Sequence, residues 1–343
     1  MKRTPILVSL LLVLLALNMF SIALAQNTPP TEPSPTFTPA PTSQLTDLEA
    51  KAAEYVVRGD ALINQGEYEA AIEAYSQAIE FHADNASAYH SRGHAYSRLG
   101  QYQSAIADLD KAIELRPDYS YSYGNRGISY NGLRQYDKAI ADFDRAIELN
   151  PDYVAAYANR ADSYYKTGQF DHALADYDTA IAGQPDFGGL YLGRGIVYYE
   201  IDEYTNALRD FDKAIELEYD GDVVYVYRGF AYNGLGQFDN AIADFNYVIE
   251  LNPEFSDAYY GRAVSQRHLT HYAEAINDFT QVIERQPDIP NAYYYRAKIY
   301  GFMQEYDLML ADLREYERLA GGNVEPRVTG LLNAHPITAG ETP

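Results

Sequence analysis

Residues 86–119 read ASAYHSRGHAYSRLGQYQSAIADLDKAIELRPDY. Within them Tyr89, Gly93 and Tyr96 recur at helical spacing, and so do Tyr102, Ala105, Ile106, Leu109, Ala112 and Ile113. Steps of three and four residues put each set on one face of a helix, so the stretch encodes two amphipathic helices. Gly100 interrupts the pattern between them, because a residue without Cβ suits a tight turn. Pro117 and Asp118 close the second helix and open the way to the next. Gly93 and Ala105 are small, which predicts a close approach of the two helices.

Outward from this stretch the same pattern returns. Arg92 has counterparts at Arg58, Arg126, Arg160, Arg194, Arg228, Arg262 and Arg296, each 34 residues from the last. Three residues before each arginine stands a tyrosine: Tyr55, Tyr89, Tyr123, Tyr157, Tyr191, Tyr225, Tyr259 and Tyr293. The repeats run 52–85, 86–119, 120–153, 154–187, 188–221, 222–255, 256–289 and 290–323. A unit of this size cannot bury its own apolar face, and stacking on its neighbours supplies the core. The array spans 45–323, with Thr46 and Glu49 spaced as a capping box at its start. The tail 324–343 offers one weak helical turn around Leu331 and Leu332.

The pattern resembles the tetratricopeptide repeat family, with an aromatic at position 4, Gly or Ala at 8, Tyr at 11, Ala at 20, an aromatic at 24, Ala at 27 and Pro at 32. In the third repeat these are Tyr123, Gly127, Tyr130, Ala139, Phe143, Ala146 and Pro151. Departures are local: Ala83 and Tyr219 replace proline, and Met309 and Tyr316 replace alanine in the eighth repeat. The resemblance implies an all-α α-solenoid, a right-handed superhelix of antiparallel helix pairs. The eighth repeat reads as its end, with Glu315, Glu317 and Arg318 solvating a second helix that lacks a neighbour.

Several charges keep the same period. Asp108, Asp142, Asp176, Asp210, Asp244, Asp278 and Asp312 stand at position 23, in step with Arg92, Arg126 and Arg160 and the later arginines. Ion pairs are the expectation, and spacing leaves open whether Asp108 meets Arg92 or Arg126. A charge present in every unit reads as scaffold. If exposed, each pair contributes on the order of 0 to 1 kcal/mol. Acids at position 33, such as Asp118 and Asp152, are expected to cap the following helix.

The N-terminus reads as an export leader. Lys2 and Arg3 precede an apolar run from Ile6 to Leu24, and Ala23-Leu24-Ala25 offers small residues for cleavage, so 1–25 is a signal peptide or else an uncleaved anchor. Residues 26–44 are rich in Pro, Thr and Ser, a composition that forms an extended spacer rather than a core. An extracytoplasmic location, secreted or at the cell envelope, follows. The net charge of −23 disfavours nucleic acid and anionic lipid, and leaves membrane contact to the anchor alone. Cysteine is absent, which removes disulfides, thiolate metal sites and thiol nucleophiles.

The resemblance places the inner face of the superhelix on the first helix of each repeat and implies a peptide laid along it. There this chain presents His90, His94, Asn125, Asn131, Asn159, Tyr165, Leu192, Tyr199, Tyr227, Phe230, Asn233, Tyr260, Arg267 and Tyr294, with Tyr295 and Lys298 beside them. These residues vary between repeats while core positions do not. The aromatics from Leu192 onward are expected to face water, as interface anchors do. The lysine, asparagine and arginine set with which some members clamp a C-terminal carboxylate is missing from any three successive repeats.

No glycine-rich phosphate loop, nucleophile elbow or metal-ligand spacing occurs, and His90 with His94 lack an evident third ligand. Neither a cofactor nor a metal is expected. The function expected is a non-catalytic scaffold that binds a protein or peptide. Two alternatives are a carbohydrate or peptidoglycan module and a self-associating rod; the oligomeric state is open.

Overall fold

The computed structural model describes residues 47–219 and 221–335. The leader, the spacer and Thr46 lie outside the described residues. Every regular element among the described residues is a helix, and helices follow one another as antiparallel pairs. The fold is an all-α solenoid. No helix among the described residues is long and apolar enough to cross a membrane.

The contacts divide the chain at residues 197 and 198, and each part is described by itself. In the first, α1 (Asp47–Asn64) pairs with α2 (Tyr68–Phe81), and α3 (Ala86–Arg98) with α4 (Tyr102–Leu115). Next α5 (Ser120–Gly132) pairs with α6 (Tyr136–Leu149), and α7 (Val154–Lys166) with α8 (Phe170–Gly183). The fifth repeat holds α9 (Gly188–Glu200) and α10 (Tyr204–Glu216). In the second part α11 (Asp222–Gly234) pairs with α12 (Phe238–Leu251), α13 (Ser256–His268) with α14 (Tyr272–Arg285), and α15 (Pro290–Phe302) with α16 (Tyr306–Leu319). The last helix is α17 (Pro326–Ala334).

The core lies where the sequence pattern is strictest. The position-20 alanines from Ala71 to Ala275 are fully buried, as are the position-24 side chains Tyr75, Leu109, Phe143, Phe211, Phe245 and Phe279. The glycines at position 8 face these larger side chains, and Gly93 also lies against the Ala105 backbone, where a Cβ would stand 3.1 Å from the carbonyl oxygen. A Cβ on Gly127 would stand 2.8 Å from the Phe143 ring, and one on Gly93 2.8 Å from Leu109. No methyl group fits at that distance without moving a packed side chain.

The turn within each pair uses one device throughout. Position 15 adopts positive φ in all eight repeats: Gly66, Gly100, Arg134, Gly168, Asp202, Gly236, Thr270 and Gln304. The amide of position 16 then donates to the carbonyl of position 11, as from Gln101 to Tyr96 or His271 to Gln266, at 2.8 to 2.9 Å. This bond satisfies a carbonyl that the helix end would leave open. Four of the eight turns do without glycine at the position that favours it.

Two expectations need correction. Among the described residues the acids at position 33 do not cap: the capping residue is position 34, where Asn85 accepts from the Ala88 amide, while Tyr119 and Tyr153 hold that place without a side-chain cap bond. The acids therefore lie one residue too early to reach the free amides. The array also does not end on a bare helix. α17 begins near where a ninth first helix would, and its Val328 and Leu332 bury against Ala297, Leu310 and Leu313. The tail thus covers the apolar face that a terminal repeat exposes.

Candidate functional site

The recurring tyrosine, arginine and aspartate form one structural group. Arg92 donates through Nε and Nη2 to both carboxylate oxygens of Asp108 in its own repeat, at 2.7 and 2.8 Å. Arg126 with Asp142, Arg160 with Asp176, Arg228 with Asp244, Arg262 with Asp278 and Arg296 with Asp312 repeat the fork. This settles the open pairing in favour of the same repeat. The remaining Nη1 reaches back to position 25 of the preceding repeat: Asp110 for Arg126, Asp144 for Arg160 and Asp178 for Arg194. Where no aspartate stands there, Ser76, Asn246 or Thr280 accepts instead. Each of these guanidiniums also lies over the ring of the tyrosine three residues before it, as Arg126 does 5.6 Å from the Tyr123 centroid.

These arginines thus tie a first helix to its own partner and to the repeat before. The back-bond was readable from the uniformly hydrogen-bonding residues at position 25, but counting acids alone obscures it. Burial pushes the Asp142 carboxyl above its ordinary value against the pull of Arg126. Burial also opposes the Arg126 charge, yet the bonds from Asp142 and Asp110 outweigh it. The side chains of Asp108, Asp142 and Asp176 are under one-tenth exposed, so the small contribution of an exposed pair does not apply to them.

Most inner-face candidates are buried rather than solvent-facing. Tyr227 is 0% and Phe230 2% exposed, and Leu192, Tyr199, Tyr260 and Tyr165 are likewise enclosed. Tyr199 meets Tyr227 edge-on at 5.7 Å, Phe230 meets Phe245 at 5.2 Å, and Tyr260 meets Phe279 at 5.8 Å. The expectation that these aromatics face water is therefore wrong. Where first helices lie against one another, these residues, at positions 5, 6, 9 and 12, fall in the seam between them.

Hydrogen bonds confirm the seam. Asn131 donates to the Asn159 carbonyl at 3.4 Å and accepts from Ser163 at 2.9 Å; Asn233 does the same with Gly261 and Ser265 at 3.1 and 2.7 Å. Asn159 donates to the Ala155 carbonyl. His90 Nδ1 and Ser122 Oγ are 3.0 Å apart across the third and second repeats. Asn125 is buried too, and its Nδ2 has no partner among the described residues.

What remains accessible is a shorter set: His94, Asn131, Arg267 and Tyr294 are half-buried, and Lys298 is exposed. Arg267 lies 5.0 Å from the Tyr295 ring centroid, and Lys298 Nζ lies 5.1 and 6.0 Å from the Tyr294 and Tyr295 centroids. Burial and Arg267 both hold the Lys298 ammonium below its ordinary value. Burial, Arg267 and Lys298 do the same to the His268 imidazole. No group of three His, Asp or Glu side chains that could hold a metal ion occurs among the described residues.

Models of the tetratricopeptide repeat match residues 86–119 and 120–153, 158–220 and 231–270, and 257–288, and a further repeat model matches 59–100. The chain belongs to the tetratricopeptide repeat family. No curated protein matches it. Among solved structures, the tetratricopeptide chain is similar to the APC/C hetero-tetramer Cut9–Hcn1, at 17% identity and TM-score 0.58 over 84% of this chain and 56% of that one. It thus spans little more than half that protein's length. It is also similar to a tetratricopeptide repeat protein from Parabacteroides merdae, at 23% identity and TM-score 0.55 over 72% of this chain and 97% of that one. PilW, a type IV pilus biogenesis factor, aligns at 19% identity and TM-score 0.56 over 60% and 96%. At these identities the likeness concerns the fold.

Proposed function

We propose that this tetratricopeptide array is a non-catalytic scaffold outside the cytoplasm that binds a peptide or a partner's helix along its first helices. Tetratricopeptide arrays typically mediate protein–protein contacts, and the lead, spacer and array order suits a domain held away from an envelope. The observation that carries the reading is the division of labour along each repeat. The Tyr, Arg and Asp positions close on one another, whereas accessible first-helix positions such as His94 and Lys298 differ from repeat to repeat.

A photo-cross-linking side chain placed at His94 or Lys298 tests this, with Lys138 and Glu148 on second helices as controls. Adducts with a discrete protein from the first-helix positions alone support the reading. Equal adducts from all four, or none, contradict it. N-terminal sequencing of the mature protein tests export: a start at Gln26 is the expected result.

A further inference from the structure

Position 17, the first residue of each second helix, is Tyr or Phe in every repeat. At five junctions its ring meets position 13 of the next repeat, at the turn end of the first helix. Arg98 lies over the Tyr68 ring at 5.1 Å, His268 stacks on Phe238 at 4.6 Å, and Phe302 stacks on Tyr272 at 6.0 Å. Gly132 leaves its place to the Tyr102 ring and Gly234 to that of Tyr204, where a Cβ would stand 2.6 Å away. The turn ends of the helix pairs therefore carry aromatic rings that the following repeat covers.

Tyr306 breaks the series. α17 takes the place of a ninth first helix but ends at Ala334, and the residue in register, Pro336, lies outside the described residues. Tyr306 is 57% and Phe302 64% exposed, and Met303 and Leu308 are exposed with them. Large apolar side chains exposed singly are ordinary, whereas four within the seven residues 302–308 make a patch of the kind that binds. Glu305 and Asp307 flank Tyr306, both exposed, and neither carboxylate has an ion-pair partner among the described residues.

We infer that this turn edge of the eighth repeat docks a cationic amphipathic segment of a partner protein, which lays an arginine over Tyr306 and apolar side chains over Phe302, Met303 and Leu308. The chain shows the chemistry itself at Tyr68, whose ring takes the Arg98 guanidinium. Glu305 and Asp307 answer the incoming charge from either side of the ring. Charge decides against other occupants. A second copy brings the same acids and a net charge of −23. Neither 26–44 nor 336–343 contains a lysine or an arginine. The surface stands apart from the inner face and does not depend on a ligand there.

Fluorescence anisotropy of the full chain with a labelled, amidated peptide of sequence Leu-Arg-Arg-Leu-Leu-Arg-Arg-Leu tests it, beside the same peptide with lysine or glutamate for arginine. Saturable binding of the arginine peptide is expected, weaker for lysine and absent for glutamate. Tyr306→Ala should weaken it about tenfold, and so should Glu305→Gln combined with Asp307→Asn, which keeps the rings. Asp137 and Asp171 stand exposed where Asp307 does, in the third and fourth repeats. Asp137→Asn combined with Asp171→Asn removes as much charge and should change affinity by less than about twofold. Equal losses from the two acid pairs would reveal mere attraction to an acidic chain and overturn the site. No binding of the arginine peptide, or unchanged affinity in folded Tyr306→Ala, would overturn it as well. So would self-association of the chain that Tyr306→Ala abolishes, which gives the patch to a second copy, or a tenfold gain in affinity on deleting 336–343, which gives it to the tail.

Discussion

Arg126 donates through Nε and Nη2 to the two carboxylate oxygens of Asp142, 16 residues further on, at 2.8 and 2.6 Å. The fork is enclosed, with Asp142 held between the helices of its own repeat. Replacing Arg126 by Met strands that carboxylate, which should cost about 3 kcal/mol. Asp110→Ala removes only the exposed back-bond and should cost under about 1 kcal/mol. Urea midpoints of the two variants check the contrast; equal losses would show that the buried fork has no special weight.

The turn at Thr270 holds a β-branched residue at φ 64. Left-handed backbone costs such a residue about 1 to 2 kcal/mol relative to glycine. Thr270→Gly should therefore raise the melting midpoint, by an amount corresponding to about 1 kcal/mol, although glycine also loosens the unfolded chain. In the turn of 86–119 the opposite change, Gly100→Ala at φ 71, should lower it. Paired thermal unfolding curves decide.

Burial raises the hydroxyl pKa of Tyr75, Tyr177, Tyr199 and Tyr260 above the ordinary tyrosine value. The folded state thus keeps these protons more tightly than the unfolded state does. Their contribution to stability is full below the unfolded value of about 10 and is lost as pH rises beyond it. Denaturant titrations across that range should show falling stability, with the tyrosinate absorbance of these four appearing only on unfolding, after that of exposed tyrosines such as Tyr247 and Tyr306. The absence of tryptophan leaves tyrosine fluorescence free as a second probe.

Phe230→Ala removes a ring that is 2% exposed and rests on Phe245, so a loss of about 3 to 5 kcal/mol is expected. Lys298→Ala touches an exposed position and should leave the unfolding midpoint within about 0.5 kcal/mol of wild type. Circular dichroism melts of the two separate a structural effect from a binding one. This contrast decides which variants can report on binding at all.

Much of this organisation was legible in the sequence. The period of 34, the paired helices and the core at positions 20 and 24 follow from spacing alone, because one helix face must be apolar wherever it meets its partner. The inner face was not. Whether Tyr227 or Asn233 meets water depends on how closely one first helix lies against the next, a distance that no single helix's periodicity encodes. Asn233 contacts Gly261 and Ser265 of the following repeat, and a glycine at 261 is what lets Phe245 approach so closely. α17 was similarly faint, because nine residues without a side-chain cap carry little periodic signal.

The central claim is that partners are held by accessible first-helix side chains rather than by the aromatic seam. Cross-linked capture from the native envelope, comparing wild type with a His94→Ala, Lys298→Ala double variant of unchanged stability, tests it most directly. Loss of a discrete captured partner in the double variant is the result predicted. Retention of every partner by the folded double variant would contradict it.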